Sequence, residues 1–252
     1  MNDLIYYYSG TGNTYASANQ LAKLLGESYV CLPIQRNTLD LEADTVIFIF
    51  PVYAYGLPKF IYKLFKNINI KAQRVILLST CGSVSGHFFK QAYKLLTKRG
   101  VRISYCNHID CVENYFAIFK QNTIEEEKTK ITNQEKFTKE IAEQIRSRVT
   151  TDIPNGSVSG CFISAIFRTF LPVVNLGIRV HKKDCTGCGL CVKNCQIKAI
   201  KVVDGKAKIH PSQCQNCQGC VNICPKKAIS FMKIKKSTRR YIHPDHFLMA
   251  NK

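Results

Sequence analysis

Between positions 185 and 224 this 252-residue chain places eight of its thirteen cysteines. They fall in two runs, CTGCGLCVKNCQIKAI and CQNCQGCVNICPKKAI, which align with an offset of 29 residues, Cys185 onto Cys214. An internal duplication of this kind means one small structural unit built twice. The first run is Cys185, Cys188, Cys191 and Cys195; the second is Cys214, Cys217, Cys220 and Cys224, followed by Pro225. Disulfides are not expected in a reducing compartment, and such local crowding points to metal binding. Zinc held by CxxC pairs usually needs four ligands, whereas two interlocked sets of four suit a larger inorganic centre.

The spacing resembles the two-cluster bacterial-type ferredoxins, over residues 180–232. Three closely spaced cysteines in a tight turn can wrap three corners of a cubane, and the fourth corner must come from elsewhere. The resemblance therefore implies two [4Fe–4S] clusters with crossed ligands. Cys185, Cys188, Cys191 and Cys224 would hold one, and Cys214, Cys217, Cys220 and Cys195 the other. One departure is visible: Gln196 stands where the second repeat has Pro225. Proline is no ligand but helps shield a cluster, so the change bears on the exposure and potential of the cluster nearest Cys195. Cys31, Cys106, Cys111 and Cys161 read as ordinary buried thiols, and Cys81 does too unless its loop meets a cofactor.

Ahead of the cysteines, residues 3–110 alternate strand-like and helical patterns. VIFIF and VILLS are continuously apolar, as strands covered on both faces of a parallel sheet should be. The alternation predicts an α/β fold, a doubly wound parallel five-stranded sheet, beside the second, smaller α+β cluster domain that the ferredoxin resemblance implies. The polar stretch 124–148 reads as one or two closing surface helices. The resulting division is 1–150, a linker and apolar connector at 151–179, the cysteine unit at 180–232, and a basic C-terminal tail at 233–252.

The first strand runs into YYYSGTGNTY, a phosphate-type loop with no lysine or arginine inside it. A P-loop needs GxxxxGK[ST], and the lysine is missing. A dinucleotide fingerprint needs a third glycine where Tyr15 stands, and an acidic residue where Gln35 and Arg36 close the second strand. The stretch Ser9-Gly10-Thr11-Gly12-Asn13-Thr14 instead matches the T/S-x-T-G-x-T loop of flavodoxins, a resemblance that covers residues 1–150. It implies the flavodoxin-like strand order 2-1-3-4-5 and bound FMN, its phosphate held by hydroxyls and backbone N–H groups at a helix start. Two more loops fall where that fold places flavin contacts: Pro51, Val52, Tyr53, Ala54, Tyr55 and Gly56, then Thr80, Cys81, Gly82 and Gly86. Tyr53 or Tyr55 is the candidate for stacking on the flavin. Neither loop carries an acid, and residues 80–86 contain no aromatic side chain to cover a flavin face.

The formal charge is +19, from 36 Lys and Arg against 17 Asp and Glu. Two clusters and one phosphate would lower it to about +13. A basic surface suits docking of acidic redox partner proteins, and no motif points to nucleic acid. The segment GCFISAIFRTFLPVVNLGIRV carries Arg168, Pro172 and Asn175, so it reads as a poor transmembrane segment, and no secretory signal is evident at the start. Cytoplasmic location is the expectation. KIKKSTRR near the end reads as a solvated tail or an electrostatic docking arm, and His243 and His246 beyond it as a poor metal site.

Together the motifs resemble the fused flavodoxin–ferredoxin proteins of anaerobes, the EFR-type family. That resemblance implies electron transfer between clusters, FMN and partner oxidoreductases. The alternative is an FMN-dependent reductase of a small-molecule electron acceptor such as a quinone or nitro compound.

Overall fold

A computed structural model describes residues 3–35, 40–82 and 84–246. Arg36 and the last six residues of the basic tail lie outside the described residues. The N-terminal half forms five parallel strands in the order β2-β1-β3-β4-β5. They are β1 (Asp3–Tyr7), β2 (Tyr29–Pro33), β3 (Asp40–Pro51), β4 (Asn69–Cys81) and β5 (Ile103–Asp110). This is the flavodoxin-like doubly wound order, and it matches the order read from the sequence.

The central strands divide their side chains between two cores. Val46, Phe48 and Phe50 of β3 join Val75 and Leu77 of β4 under helices α2 (Lys59–Phe65) and α3 (Phe88–Thr97). Ile47 and Ile49 join Ile76 and Leu78 under α1 (Asn13–Leu25) and α4 (Ile124–Arg146). Burial on both faces is why VIFIF and VILLS show no polar alternation. The stretch read as one or two surface helices is a single helix, α4. It starts at a capping box in which Thr123 and Glu126 satisfy each other's backbone N–H groups.

Residues 158–175, read as part of a connector, form an 18-residue helix, α5 (Val158–Asn175). It is the one helix among the described residues long and apolar enough to cross a membrane. In this structure it lies along α2 and α3, tied by polar contacts. Gln91 Nε2 donates to Ser164 Oγ at 2.9 Å, and the Arg168 guanidinium stacks on Tyr62 at 4.3 Å.

The cysteine unit is small and built around two short two-stranded sheets. β6 (Ile178–Val180) pairs antiparallel with β9 (Ile229–Phe231), and β7 (Ile200–Val203) with β8 (Lys206–Ile209). Helices α6 (Leu190–Lys193) and α7 (Gly219–Ile223) each follow a cysteine loop. The duplication persists in backbone conformation where the residues differ. Gly187 and Gly189 of the first loop have φ of 72° and 77°, and Asn216 and Gln218, 29 positions on, have 56° and 60°. The unit is not a bead on a linker: Ile197 and Ala199 are buried in the same core as Phe60 and Phe65.

Candidate functional site

The eight cysteines surround two small cavities. One is lined by Cys185, Cys188, Cys191 and Cys224, the other by Cys195, Cys214, Cys217 and Cys220. Each fourth cysteine thus sits in the wall of the other repeat's cavity, because α6 and α7 carry Cys195 and Cys224 away from their own loops. Among the described residues no three His, Cys, Asp or Glu side chains converge closely enough to hold a single metal ion. Ligands spread around a cavity fit a cubane better than a zinc ion, whose thiolates would stand within about 2.3 Å of one point.

Backbone donors aim at the sulfurs in a repeated pattern. Ala199 N–H donates to Cys195 Sγ at 3.2 Å, and Ala228 N–H to Cys224 Sγ at 3.3 Å. Ala207 N–H meets Cys185 Sγ, and Asn216 N–H meets Cys214 Sγ. Such donors stabilise thiolate charge and raise cluster potentials. Burial pushes the Cys214 thiol up to about 12 and Cys191 up to about 11. Thiols held this high stay protonated unless a cationic centre takes the proton's place, so loading these cavities releases protons.

A third cavity, of about 390 Å³, opens at the carboxyl ends of β1, β3 and β4. The three loops singled out in the sequence supply Ser9, Gly10, Thr11, Asn13 and Thr14, then Pro51, Val52, Tyr53, Ala54 and Tyr55, then Thr80, Cys81 and Gly82. The glycines Gly12, Gly56 and Gly86, expected here, are not in the wall. A Cβ on Gly12 would strike His243 and His246, one on Gly56 would strike Ser164 and Gln91, and one on Gly86 would strike Tyr55. These glycines make room for neighbouring protein, so their part is to shape the loops from behind.

The loop is built to receive an anion. Helix α1 begins after Gly12 at φ 103°, and no side chain caps it. Its first N–H groups are left for a ligand, and the helix dipole points the same way. Ser9 Oγ accepts from Gly12 N–H, Thr14 Oγ1 meets Thr80 Oγ1 at 2.7 Å, and Thr11 Oγ1 accepts from Asn114 Nδ2. Accepting from Asn114 leaves the Thr11 hydroxyl proton free to donate into the cavity. A phosphomonoester fits these hydroxyls without a lysine.

Several wall residues escaped the sequence reading. Glu113, Asn114, Tyr115, Ile118 and Phe119 follow β5, and Ile163 and Phe167 come from α5. Aromatic cover absent from residues 80–86 is therefore available from Tyr115, Phe119 and Phe167. An acid lines the cavity after all, though Glu113 Oε1 is occupied by the N–H groups of Asn114 and Tyr115. Cys81, grouped above with both thiols and cofactor contacts, is in the wall, 3.6 Å from His108 Nε2. Cys106 and Cys111 are buried, and burial pushes both thiols up.

Asn216 and Cys217 line both the third cavity and the cavity around Cys195. They are the partition between the two sites. Tyr8 and Tyr53 lie beside Cys217, and burial holds both hydroxyls well above the usual tyrosine range. The Tyr8 hydroxyl faces the Cys217 sulfur and the Tyr53 hydroxyl, so its proton is placed to serve a cluster sulfur. Gln196 explains its departure from proline. Its Oε1 accepts the Ser9 N–H at 2.8 Å, tying the cysteine unit to the phosphate loop.

Residues 239–246 are packed, while Lys233, Lys235 and Lys236 ahead of them stay exposed. Arg239 makes a two-pronged ion pair with Glu127, with both contacts at 2.7 Å, and Tyr241 donates to Asn13 Oδ1. His243 N–H donates to Thr11 O, and His246 Nε2 meets Asn194 Oδ1. Residues 239–246 thus strap the cysteine unit over α1. Burial lowers both imidazoles, His246 to about 4, with Asp245 partly offsetting the effect at His243. In a detached strap both would titrate near 6.5. Docking is fully favourable above that value and weakens as pH falls towards 4, because the free strap takes protons that the docked one refuses. Protection factors of the amides across 241–246, with the intrinsic pH dependence of exchange divided out, are expected to fall between about pH 7 and pH 5, and His246→Gln should flatten that dependence.

The family described as 4Fe-4S dicluster domain matches residues 184–240. No curated protein matches the chain significantly. Among solved structures, two-electron reduced Megasphaera elsdenii flavodoxin is similar at 16% identity, covering 56% of this chain and 98% of its own, with a TM-score of 0.36. The strand order, rather than that likeness, places the sheet in the flavodoxin-like class. The chain therefore joins a flavodoxin-like α/β unit to a 4Fe–4S dicluster unit.

Proposed function

We propose that this chain is an electron-transfer flavo-iron–sulfur protein holding two [4Fe–4S] clusters and one FMN, and passing electrons between them and partner oxidoreductases. The observation that carries the reading is the shared wall: Asn216 and Cys217 border the cluster cavity on one side and the flavin-type cavity on the other. Bound FMN supplies two-electron capacity and each cluster one, so the assembly can convert paired into single-electron traffic.

The residues give the path a direction in space. Cys188 is exposed, whereas Cys220 is half-buried and packed against the core of the cysteine unit. Electrons from an outside partner therefore meet the Cys188 side first, then the Cys217 side, then the flavin cavity. Tyr8, Tyr53 and the backbone N–H donors fix the polarity around the inner sulfurs and exclude water from the passage. The cationic surface favours acidic redox partners, and the expected compartment is the cytoplasm.

The cavity's size favours the carrier over the small-acceptor reductase. At about 390 Å³ it lies near the lower end of ligand sites, room for one cofactor rather than a cofactor and a substrate side by side. Anaerobic purification with iron, sulfide and flavin counts tests the inventory, and rapid mixing with a one-electron donor tests the order of reduction. Absence of FMN, or flavin reduction that precedes cluster reduction, would refute the reading.

The phosphate loop gives a quantitative check. Thr11→Val removes the hydroxyl that accepts from Asn114 and donates into the cavity. A hydrogen bond to a charged group contributes about 1.5–3 kcal/mol, so FMN affinity should fall roughly ten- to hundredfold in a fluorescence titration. Iron content should not change.

A further inference from the structure

Helix α5 is built inside out for a helix packed on a water-soluble domain. Its buried positions are Gly160, Ser164, Leu171 and Asn175, mostly small or polar. Its outer stripe is Val158, Phe162, Ile166, Phe170 and Val173, spaced four or three residues apart and facing solvent. Phe162 is 67% exposed, Ile166 59% and Phe170 56%, so the larger apolar groups are outside and the hydrogen-bonding groups inside. An amphipathic helix of a globular domain does the reverse. A contiguous apolar stripe of this kind marks an interaction surface.

The charge around the stripe selects the occupant. α5 meets α2 and α3 through Arg168, which shares the Tyr62 ring with the exposed Lys66 and acts on His87 together with the exposed Lys90 and Lys94. No aspartate or glutamate occurs from residue 45 to 109, or from 153 to 183. A second copy of the chain would therefore bring like charges together across the contact. The stripe also offers nothing to set a register: Thr169, the hydroxyl residue beside it, donates back to Ala165 O inside the helix. An apolar helix face rimmed by cations, with no directional polar group, suits a fluid anionic surface.

We propose that α5 and its lysine rim dock this protein onto anionic lipid bilayers, the helix lying in the interface with Phe162, Ile166 and Phe170 among the acyl chains. Helix residues Ile163 and Phe167 also line the flavin-type cavity, together with Ile118 and Phe119. The docked face therefore presents the mouth of that cavity to the membrane surface.

The test is cosedimentation of the full, cofactor-loaded chain with vesicles of phosphatidylcholine, with and without phosphatidylglycerol. Binding is expected to the phosphatidylglycerol vesicles and to fall with salt. The Phe162→Ser/Phe170→Ser variant should bind about tenfold or more weakly, with an unchanged visible spectrum, since both side chains already face solvent. Lys66→Glu/Lys94→Glu should lose the preference for anionic lipid. Absence of binding, or binding indifferent to both variants, would overturn the proposal. So would a concentration-dependent dimer that Ile166→Asp dissolves, or an acidic protein that competes for the stripe in place of lipid.

Discussion

Cys195→Ala is expected to empty the cavity built on the second repeat rather than the one built on its own. The side chain lies with Cys214, Cys217 and Cys220, and the Ala199 N–H holds its sulfur there. A cubane missing one thiolate is commonly lost, so iron should fall from about eight to about four per chain. Pairs of substitutions decide the assignment. Cys195→Ala with Cys217→Ala should still retain about four irons, because both residues serve one cluster. Cys195→Ala with Cys188→Ala should retain almost none. Ligand sets that followed sequence order would give the opposite pattern. The functional loss should also be large, since the emptied cavity is the step that borders the flavin site. A one-electron donor should still reduce the remaining cluster, and flavin bleaching should be close to abolished.

The parts of this molecule that were legible in the sequence are those whose signal is local. SGTGNT carries its hydroxyls, its glycine at φ 103° and the start of α1 within six residues. The cysteine runs carry, within seven residues, three of the four cysteines that line each small cavity, and the ferredoxin resemblance implied the fourth. The parallel, doubly covered sheet followed from continuous apolar runs, because only strands covered on both faces can dispense with polar alternation, and its order followed from the flavodoxin resemblance.

What was not legible depends on contacts between distant residues. Gln196 looked like a flaw in the repeat until its carbonyl was found on Ser9, 187 residues away. Tyr115, Phe119 and Phe167 had no motif, since an aromatic residue in a cavity wall and one in a core look alike in sequence. α5 misled for a related reason. Hydropathy reports that a segment is apolar but not which way it faces, and here the apolar side faces out. The end of the basic tail packs because Arg239 has Glu127 as a partner, which composition cannot show, while Lys233, Lys235 and Lys236 stay exposed.

A second departure in the repeat yields the other large effect. The position of Leu190 in the first run is Gly219 in the second. A Cβ on Gly219 would stand 2.5 Å from Gly10 O and 2.7 Å from Asn194 Nδ2. From the other side, a Cβ on Gly10 would stand 2.7 Å from Cys217 O and 2.8 Å from Cys217 Cβ. The phosphate loop and the inner cysteine loop thus meet backbone to backbone, and neither can yield locally. Neither glycine has a positive φ, so substitution acts through contact alone. Gly219→Val and Gly10→Ala should therefore push the two units apart, at the ~1–3 kcal/mol typical of overpacking. The variants should keep their iron and flavin but melt at lower temperature. Flavin reduction through the clusters should slow sharply, because the partition formed by Asn216 and Cys217 widens. The matching substitution at Leu190, Leu190→Val, leaves the junction untouched and should not slow it. Equal rates in all three variants would mean that electrons reach the flavin cavity by another route than the Gly10–Gly219 contact.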